Sequence, residues 1–536
     1  MRKMKKLSLL LVFVLCFSML SGCGKSESDA KSGDDTTTKK EEVKKEPKKG
    51  GTFVASIERE PQGYNPDAKA DDGAYIVIQN VFNKLVKING KDQVVPDLAK
   101  SWDFSKDGKS ITFHLQENVK WHDGKEFTSE DVKWTFDKII KDKGFASESI
   151  SDIEEVVCPD KNTVEMKLKN ANSGLLGYLA WFGTYIMPKH IYDGTDWLTN
   201  EANSKPIGTG PFKFVEHKKG QSVTIERNDD FWGDKPYVDK VVFKIIPDEN
   251  TAYQAWINGE TDETRNGVPS NELSKYENNK DYVIYNKLWP NKTYIDFNVK
   301  KGKFADKKVR EAVAYGVNRE EVFTKAVKGI GQKADYFISP LYDWALDKDV
   351  KLPERDVNKA KSLLEEAGYK ADANGIYFTA TIDTYPGFEE VVEVLKSNFK
   401  EFGIDLKVNA MDDAAYDEKV LNAQNFELTM LGGYQGPDIS AIASRFGSKG
   451  PMNYGMYNNP KMDELLKKGE TLSSKDERAA VYKEVQKILS EDLPAVFLTE
   501  KGAKLVVKSY VKGHPASDEV VDKTSEAEFT YLWLDK

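Results

Sequence analysis

Cysteine is nearly absent from this chain: it has three in 536 residues, at positions 16, 23 and 158. Only Cys158 follows Cys23, which excludes a disulfide framework and a cysteine-rich metal site downstream. Histidine is scarce as well. His114, His122, His190, His217 and His514 are scattered, with no i, i+4 pair to hold zinc or nickel. Beyond residue 20 no apolar run is long enough for a membrane span. An excess of positive charge is missing too. The net charge is -9 and the lysines alternate with Glu and Asp, which argues against a nucleic-acid partner. Signs of catalysis are also lacking. There is no Gly-x-Ser-x-Gly elbow and no marked carboxylate dyad, and Cys158 before Pro159 reads as a packed thiol. Gly208-Thr209-Gly210-Pro211 lacks the spacing and the following helix of a dinucleotide loop. Asp103, Asp107 and Gly108 belong to a turn, because His114 stands where a calcium loop needs a bidentate Glu. The expectation is a protein that is not an enzyme and carries no cofactor or metal.

The N-terminus is informative. A basic start (Arg2, Lys3, Lys5, Lys6) leads into an apolar run over 7–20 and then Ser21-Gly22-Cys23. That is a secretory signal layout. Small residues followed by Cys resemble the bacterial lipobox. The resemblance implies a lipoprotein signal peptide over 1–22 and a lipidated (palmitate-bearing) Cys23. The protein would then sit on the outer face of the cytoplasmic membrane, in a Gram-positive bacterium. Several acyl chains on one Cys anchor stably where a single one does not. Residues 23–49 continue with Lys, Glu, Asp, Ser, Thr and Gly. A stretch so poor in apolar side chains cannot offset its ordering entropy and should be a disordered tether.

From Gly50 the composition becomes globular, and the length calls for two or three domains. The pattern is mixed α and β. Strands are predicted over 50–56, 101–104, 110–115, 211–214, 222–227, 238–247, 292–298, 379–384, 406–410, 428–431, 495–499, 504–507 and 529–534. Helices are predicted over 129–140 with Thr128 as N-cap, and over 251–258, 307–316, 319–327, 358–367, 389–402, 414–423, 461–468 and 475–491. Another is expected to begin at Ile439 or Ser440.

One long run stands out: Pro96-Asp97-Leu98-Ala99-Lys100-Ser101-Trp102, then Asp107 to Leu115, then Trp121-His122-Asp123-Gly124-Lys125 through Val132. It resembles the signature region of the family 5 extracellular solute-binding proteins, the peptide and nickel group. Further matches follow in order: Gly208 to Phe212, Arg227-Asn228, Phe231-Trp232, Gly259 to Asp262, Lys307 to Ala312, Asn453-Tyr454 and Tyr457 to Pro460. The resemblance implies a two-lobe, hinged α/β fold of periplasmic-binding-protein type, with an extra subdomain on lobe I. On this chain lobe I would span 50–285, with the subdomain at about 85–205. The hinge crossing would be 286–297, lobe II 298–494, and the return with the last part of lobe I 495–536. It also implies a monomeric binding protein that hands its ligand to an ABC permease driven by cytoplasmic ATPases.

Ligand residues are expected on loops at strand ends, where α/β proteins place clefts. The leading candidates lie in Gly432-Gly433-Tyr434-Gln435-Gly436-Pro437-Asp438. There the glycines let backbone approach a ligand, and Tyr434 and Gln435 offer a stacking face and an amide. In peptide-binding relatives an Asp in this loop pairs with the peptide's α-amine. Its place is taken here by Gly433, with Asp438 the nearest carboxylate. Either Asp438 substitutes for it or the ligand lacks a free amine; the other role open to Asp438 is to cap the following helix. Tyr64, Tyr75, Trp289, Asn291, Tyr385 and Arg445 are further candidates, Arg445 as partner of a ligand carboxylate. Oligopeptides are the leading ligand class, and oligosaccharides the second because sugars stack on aromatics. Nickel comes third. Peptide-pheromone sensing is the alternative from another functional class.

Overall fold

The computed structural model describes residues 46–68, 71–264 and 267–536. The signal, Cys23 and the tether as far as residue 45 lie outside the described residues. Three main sheets organise the chain. The first has five strands in the order Glu263–Thr264, Thr52–Ile57, Lys240–Ile245, Ser222–Arg227, Phe212–Lys218. Thr52–Ile57 runs parallel to Lys240–Ile245, and the strands beyond are antiparallel hairpin partners. The second sheet is an antiparallel four-stranded layer, Ala99–Phe104, Ser110–Leu115, Thr163–Leu168, Ile153–Asp160. Its strand Ser110–Leu115 buries every second residue, as its alternating sequence predicts. The third sheet has six strands in the order Gln332–Lys333, Ala495–Lys508, Tyr282–Phe297, Leu428–Tyr434, Phe378–Thr384, Ile404–Ala410.

Two large cores result. One gathers Phe53, Val77, Phe113, Phe136, Ile225 and Phe529 beneath the first two sheets. The other gathers Phe297, Val313, Leu364, Phe399, Met430 and Tyr482 around the third. Two long antiparallel strands join them. Tyr282–Phe297 pairs with Ala495–Lys508 from Tyr282↔Lys508 to Leu288↔Gly502, breaks register, and resumes at Lys292↔Glu500. Past the break Tyr282–Phe297 gains Leu428–Tyr434 on its other side. At the break a Cβ on Gly502 would sit 2.3 Å from the carbonyl oxygen of Lys287, so only glycine lets the strands come this close. Just beyond it Lys292 and Glu500 form a buried ion pair at 3.0 Å, with 1% and 0% of their side chains exposed. Ser339 Oγ donates to the second Glu500 oxygen at 2.6 Å.

Most predicted elements are present, and local chemistry sets their ends. Thr128 and Asp131 close a capping box at the start of Ser129–Lys141. Lys307–Gly316 starts at the cap Asp306, and Val357–Glu366 at Asp356. Several expectations are corrected. The pieces 495–499 and 504–507 are one continuous strand, and 292–298 is the end of Tyr282–Phe297. The helices predicted over 319–327 and 414–423 begin as α and turn to π-helix at Val322–Ala326 and Asp417–Asn422. The strand predicted over 529–534 shrinks to Trp533–Leu534. Phe529 and Leu532 are instead buried in a turn against the first core. Asn80 fixes that turn, donating to the Ala527 carbonyl at 2.7 Å and accepting from the Phe529 amide at 3.0 Å. The helix Asp72–Val81 was not expected. Among the described residues no helix is long and apolar enough to cross a membrane. Pro47–Lys536 form one compact unit.

Candidate functional site

Where the two long strands leave the first core, a recess of about 250 Å³ opens. The helix Asp72–Val81 supplies Tyr75 and Gln79, and the chain just after it supplies Lys84. The turn between Val86–Ile88 and Val94–Pro96 supplies Asp92, held at φ 55°. The loop after Leu175–Leu179 adds Trp181 and Phe182, and the long strand adds Lys287 and Trp289. Glu526 enters from the C-terminal segment, and Tyr434 from the six-stranded sheet. Tyr434 and Trp181 stack across the recess, centroids 6.0 Å apart and planes 13° apart, so the six-stranded sheet meets the loop after Leu175–Leu179 here through two rings.

The recess is aromatic but charged. Glu526 pairs with Lys287 and accepts from the indole Nε1 of Trp289 at 3.3 Å. Lys287 Nζ lies 5.3 Å from the centre of the Trp289 ring. Burial pushes the Asp92 carboxyl up to about 7. Burial pulls the Lys84 ammonium down to about 8, against the nearby charge of Asp97. That ammonium stands 4.5 Å above the Tyr185 ring.

Of the sequence-predicted candidates, Tyr75, Trp289 and Tyr434 line this recess. Tyr64 does not. It is 1% exposed and packs on Phe214, with ring centroids 5.1 Å apart, because its ring fills the first core. Tyr385 faces a separate hollow of about 380 Å³ with Thr384, Pro386 and Met411, its ring against Phe388 and Tyr416. Asn291 sits opposite Tyr434 in the strand register, its buried Oδ1 without a hydrogen-bond partner.

The glycine loop is internally braced. Gly433 holds φ 135°, which an L-residue rarely adopts. Gln435 donates its amide N–H to Pro290 O at 2.6 Å and its Nε2 to Gly433 O at 2.9 Å, so its side chain folds back on its own loop. Arg445 is buried at the end of the short helix Ala443–Phe446 and donates to the Tyr434 carbonyl at 2.8 Å. Asp438 caps Ile439–Ile442 through the Ser440 amide at 2.9 Å and pairs with Arg478 at 2.5 Å. Of the two roles open to Asp438, the cap is the one seen. Lys84, Gln79, Asp92, Trp181 and Glu526 were not anticipated. Gln79 left one signal, as part of the polar pair Gln79-Asn80 that interrupts the apolar run from Ile76 to Val81. Among the described residues no group of three His, Cys, Asp or Glu side chains is placed to hold a metal ion.

The model of the bacterial extracellular solute-binding proteins, family 5 (middle), matches residues 93–454. The chain belongs to this family. It is 30% identical to the oligopeptide-binding protein AppA of Bacillus subtilis (strain 168), over 96% of this chain and 96% of that one. It is 28% identical to the dipeptide-binding protein of Escherichia coli (strain K12), over 86% of this chain and 92% of that one. The crystal structure of the ABC transporter substrate-binding protein CtaP from Listeria monocytogenes superposes with a TM-score of 0.78 at 26% identity. It covers 91% of this chain and all of that one. The mixed α/β two-lobe fold is therefore that of the family 5 binding proteins. Family 5 proteins are non-enzymatic components of ABC transporters that bind solutes outside the cytoplasm.

Proposed function

We propose that this chain captures peptides in the recess between its two cores and delivers them to an ABC permease, anchored to the outer face of the cytoplasmic membrane through lipid on Cys23. One observation carries the reading: the recess takes Tyr75 from the helix Asp72–Val81, Trp181 from the loop after Leu175–Leu179 and Tyr434 from the six-stranded sheet, beside a two-strand crossing. A ligand that touches both sides favours one arrangement of the lobes over another, and a permease can read that arrangement. On this reading the crossing comprises 286–297 and the start of 495–536. Lobe II is 298–494, and the subdomain at about 85–205 belongs to lobe I. The names of the relatives, oligopeptide-binding and dipeptide-binding, support peptides as the ligand class.

A saccharide is the second reading, favoured by the aromatic faces of Trp181, Trp289 and Tyr434 in the recess. Thermal unfolding of the chain with peptide mixtures and with oligosaccharide mixtures separates the two, since a ligand of the folded state raises the midpoint. Peptides should raise it. Stabilisation by sugars alone would overturn the peptide reading.

A further inference from the structure

Two polar side chains in the recess make neither a side-chain hydrogen bond nor an ion pair among the described residues. Gln79 is 6% exposed, and neither its Nε2 nor its Oε1 has a hydrogen-bond partner. A buried amide left in this state is costly, and native structures keep one where something else completes it. Its neighbour Asn80 shows the contrast, for that amide bonds Ile76 O, Ala527 O and the Phe529 amide. Lys84 is 7% exposed and lines the same recess. Among the described residues its ammonium has no carboxylate in ion-pair contact, and its close neighbour is the Tyr185 ring. Asp97 is near, but its two oxygens are engaged by Asn83 Nδ2 at 2.8 Å and by the Lys84 backbone amide at 2.8 Å. The remaining cation of the recess, Lys287, is paired with Glu526. Lys287 and Glu526 offset each other's charge, so Lys84 is the cation of the recess left to meet an anionic group.

We propose that Lys84 and Gln79 form the carboxylate-binding pole of the recess, Lys84 supplying the charge and the Gln79 Nε2 a second donor to one ligand carboxylate. The inference rests on the reading of the recess as the ligand site. It narrows that reading to ligands carrying a carboxylate, the C-terminus of a short peptide being the leading case. The carboxylate enters at lobe I, while Trp289 and the stacked Trp181–Tyr434 pair flank the rest of the ligand. Charge-assisted bonds in a half-closed pocket are stronger than neutral ones, and loss of one partner is felt in full.

The test uses the full chain in detergent, titrated calorimetrically. The probes are alanine peptides of increasing length, each as free acid and as C-terminal amide, together with a uronic-acid oligosaccharide and its neutral counterpart. Wild type, Lys84→Met and Gln79→Met are compared. The free acid should bind at least about 30-fold more tightly than the amide in wild type, and that preference should vanish in Lys84→Met. The preference should shrink in Gln79→Met. Without ligand, Lys84→Met should melt no lower than wild type, because it removes a buried charge that lacks an ion-pair partner. If peptides fail and only the uronic acid binds, in a Lys84-dependent way, the pole stands and the peptide reading falls. Equal binding of acid and amide in wild type overturns the proposal. So does a preference that survives Lys84→Met, or the absence of binding by every carboxylate probe.

Discussion

Arg478, on the helix Lys475–Asp492, holds the same carboxylate of Asp438 that caps Ile439–Ile442. Both partners are largely buried, and the guanidinium also lies 5.3 Å from the centre of the Trp344 ring. Removal of one member strands the other. Asp438→Ala should therefore destabilise the chain by about 3 kcal/mol. Its ratio of affinities for free and N-acetylated peptides should match that of wild type. Urea unfolding and paired titrations check both halves. A selective loss of affinity for peptides with a free amine would make Asp438 a ligand residue instead.

Gly433 is held at φ 135°. Gly433→Ala should cost about 1–3 kcal/mol, measured by thermal or urea unfolding. Gly433→Asp should not create an amine pocket. A Cβ there would lie 3.9 Å from a guanidinium nitrogen of Arg445, which would pair with the new carboxylate first. Titration with free and N-acetylated peptides should give the same ratio as wild type.

Tyr434 and Trp181 meet as stacked rings. Tyr434→Phe keeps the stack and should bind ligand within about threefold of wild type. Tyr434→Ala should weaken binding by about two- to tenfold, since a stacked pair contributes roughly 0.5–1.5 kcal/mol beyond its buried area. Calorimetric titration with a peptide mixture is the measurement.

The buried pair Lys292–Glu500 has no access to water. Lys292→Met leaves the buried Glu500 carboxyl without its cation, with Ser339 as its remaining side-chain donor among the described residues, and should cost about 3–5 kcal/mol in urea unfolding. Lys292→Met with Glu500→Gln should recover more than half of that loss, because the uncompensated charge is gone.

Asp296 gives a pH dependence. Burial pushes its carboxyl up to about 8, against amide donors at Gly455 and Phe297. In the unfolded chain the group ionises near the ordinary value of 3.8. The folded state therefore holds the proton more tightly. The stability this contributes is complete below the unfolded value, falls as pH rises through the window between 3.8 and about 8, and is then level. The full change is on the order of 5 kcal/mol. Urea midpoints from pH 5 to 9 should fall for wild type and fall less steeply for Asp296→Asn. Parallel profiles would show that Asp296 does not titrate in this window.

The sequence carried the local part of this structure well. Ser110–Leu115 alternates because one face is buried, and Thr128, Asp306 and Asp356 sit before their helices as good caps do. The long strands were read only in part, because each changes neighbours along its length. Past Leu288 the strand Tyr282–Phe297 is flanked on both sides, while before it only Ala495–Lys508 is present. The helix Asp72–Val81 escaped because it is apolar nearly all round and has no stripe to betray a helical period. At the site, aromatics beside strand ends gave Tyr75, Trp289 and Tyr434. Lys84, Trp181 and Glu526 look like ordinary surface or loop residues until pairings across hundreds of positions bring them together. Tyr64 misled because an aromatic after a first strand serves a core as readily as a cleft.

Asn80 and the turn at Ala527–Phe529 also tie the first core to both ends of the described chain. The second core draws on residues 294–498, so every residue it needs precedes the turn at Ala527–Phe529. The first core begins at Phe53 yet needs Phe529 and Leu532, and Asn80 has to wait for Ala527 to satisfy its amide. The half that starts first is therefore the half that finishes last. A chain that emerges N-terminus first can close the second core while the first still lacks Phe529 and Leu532.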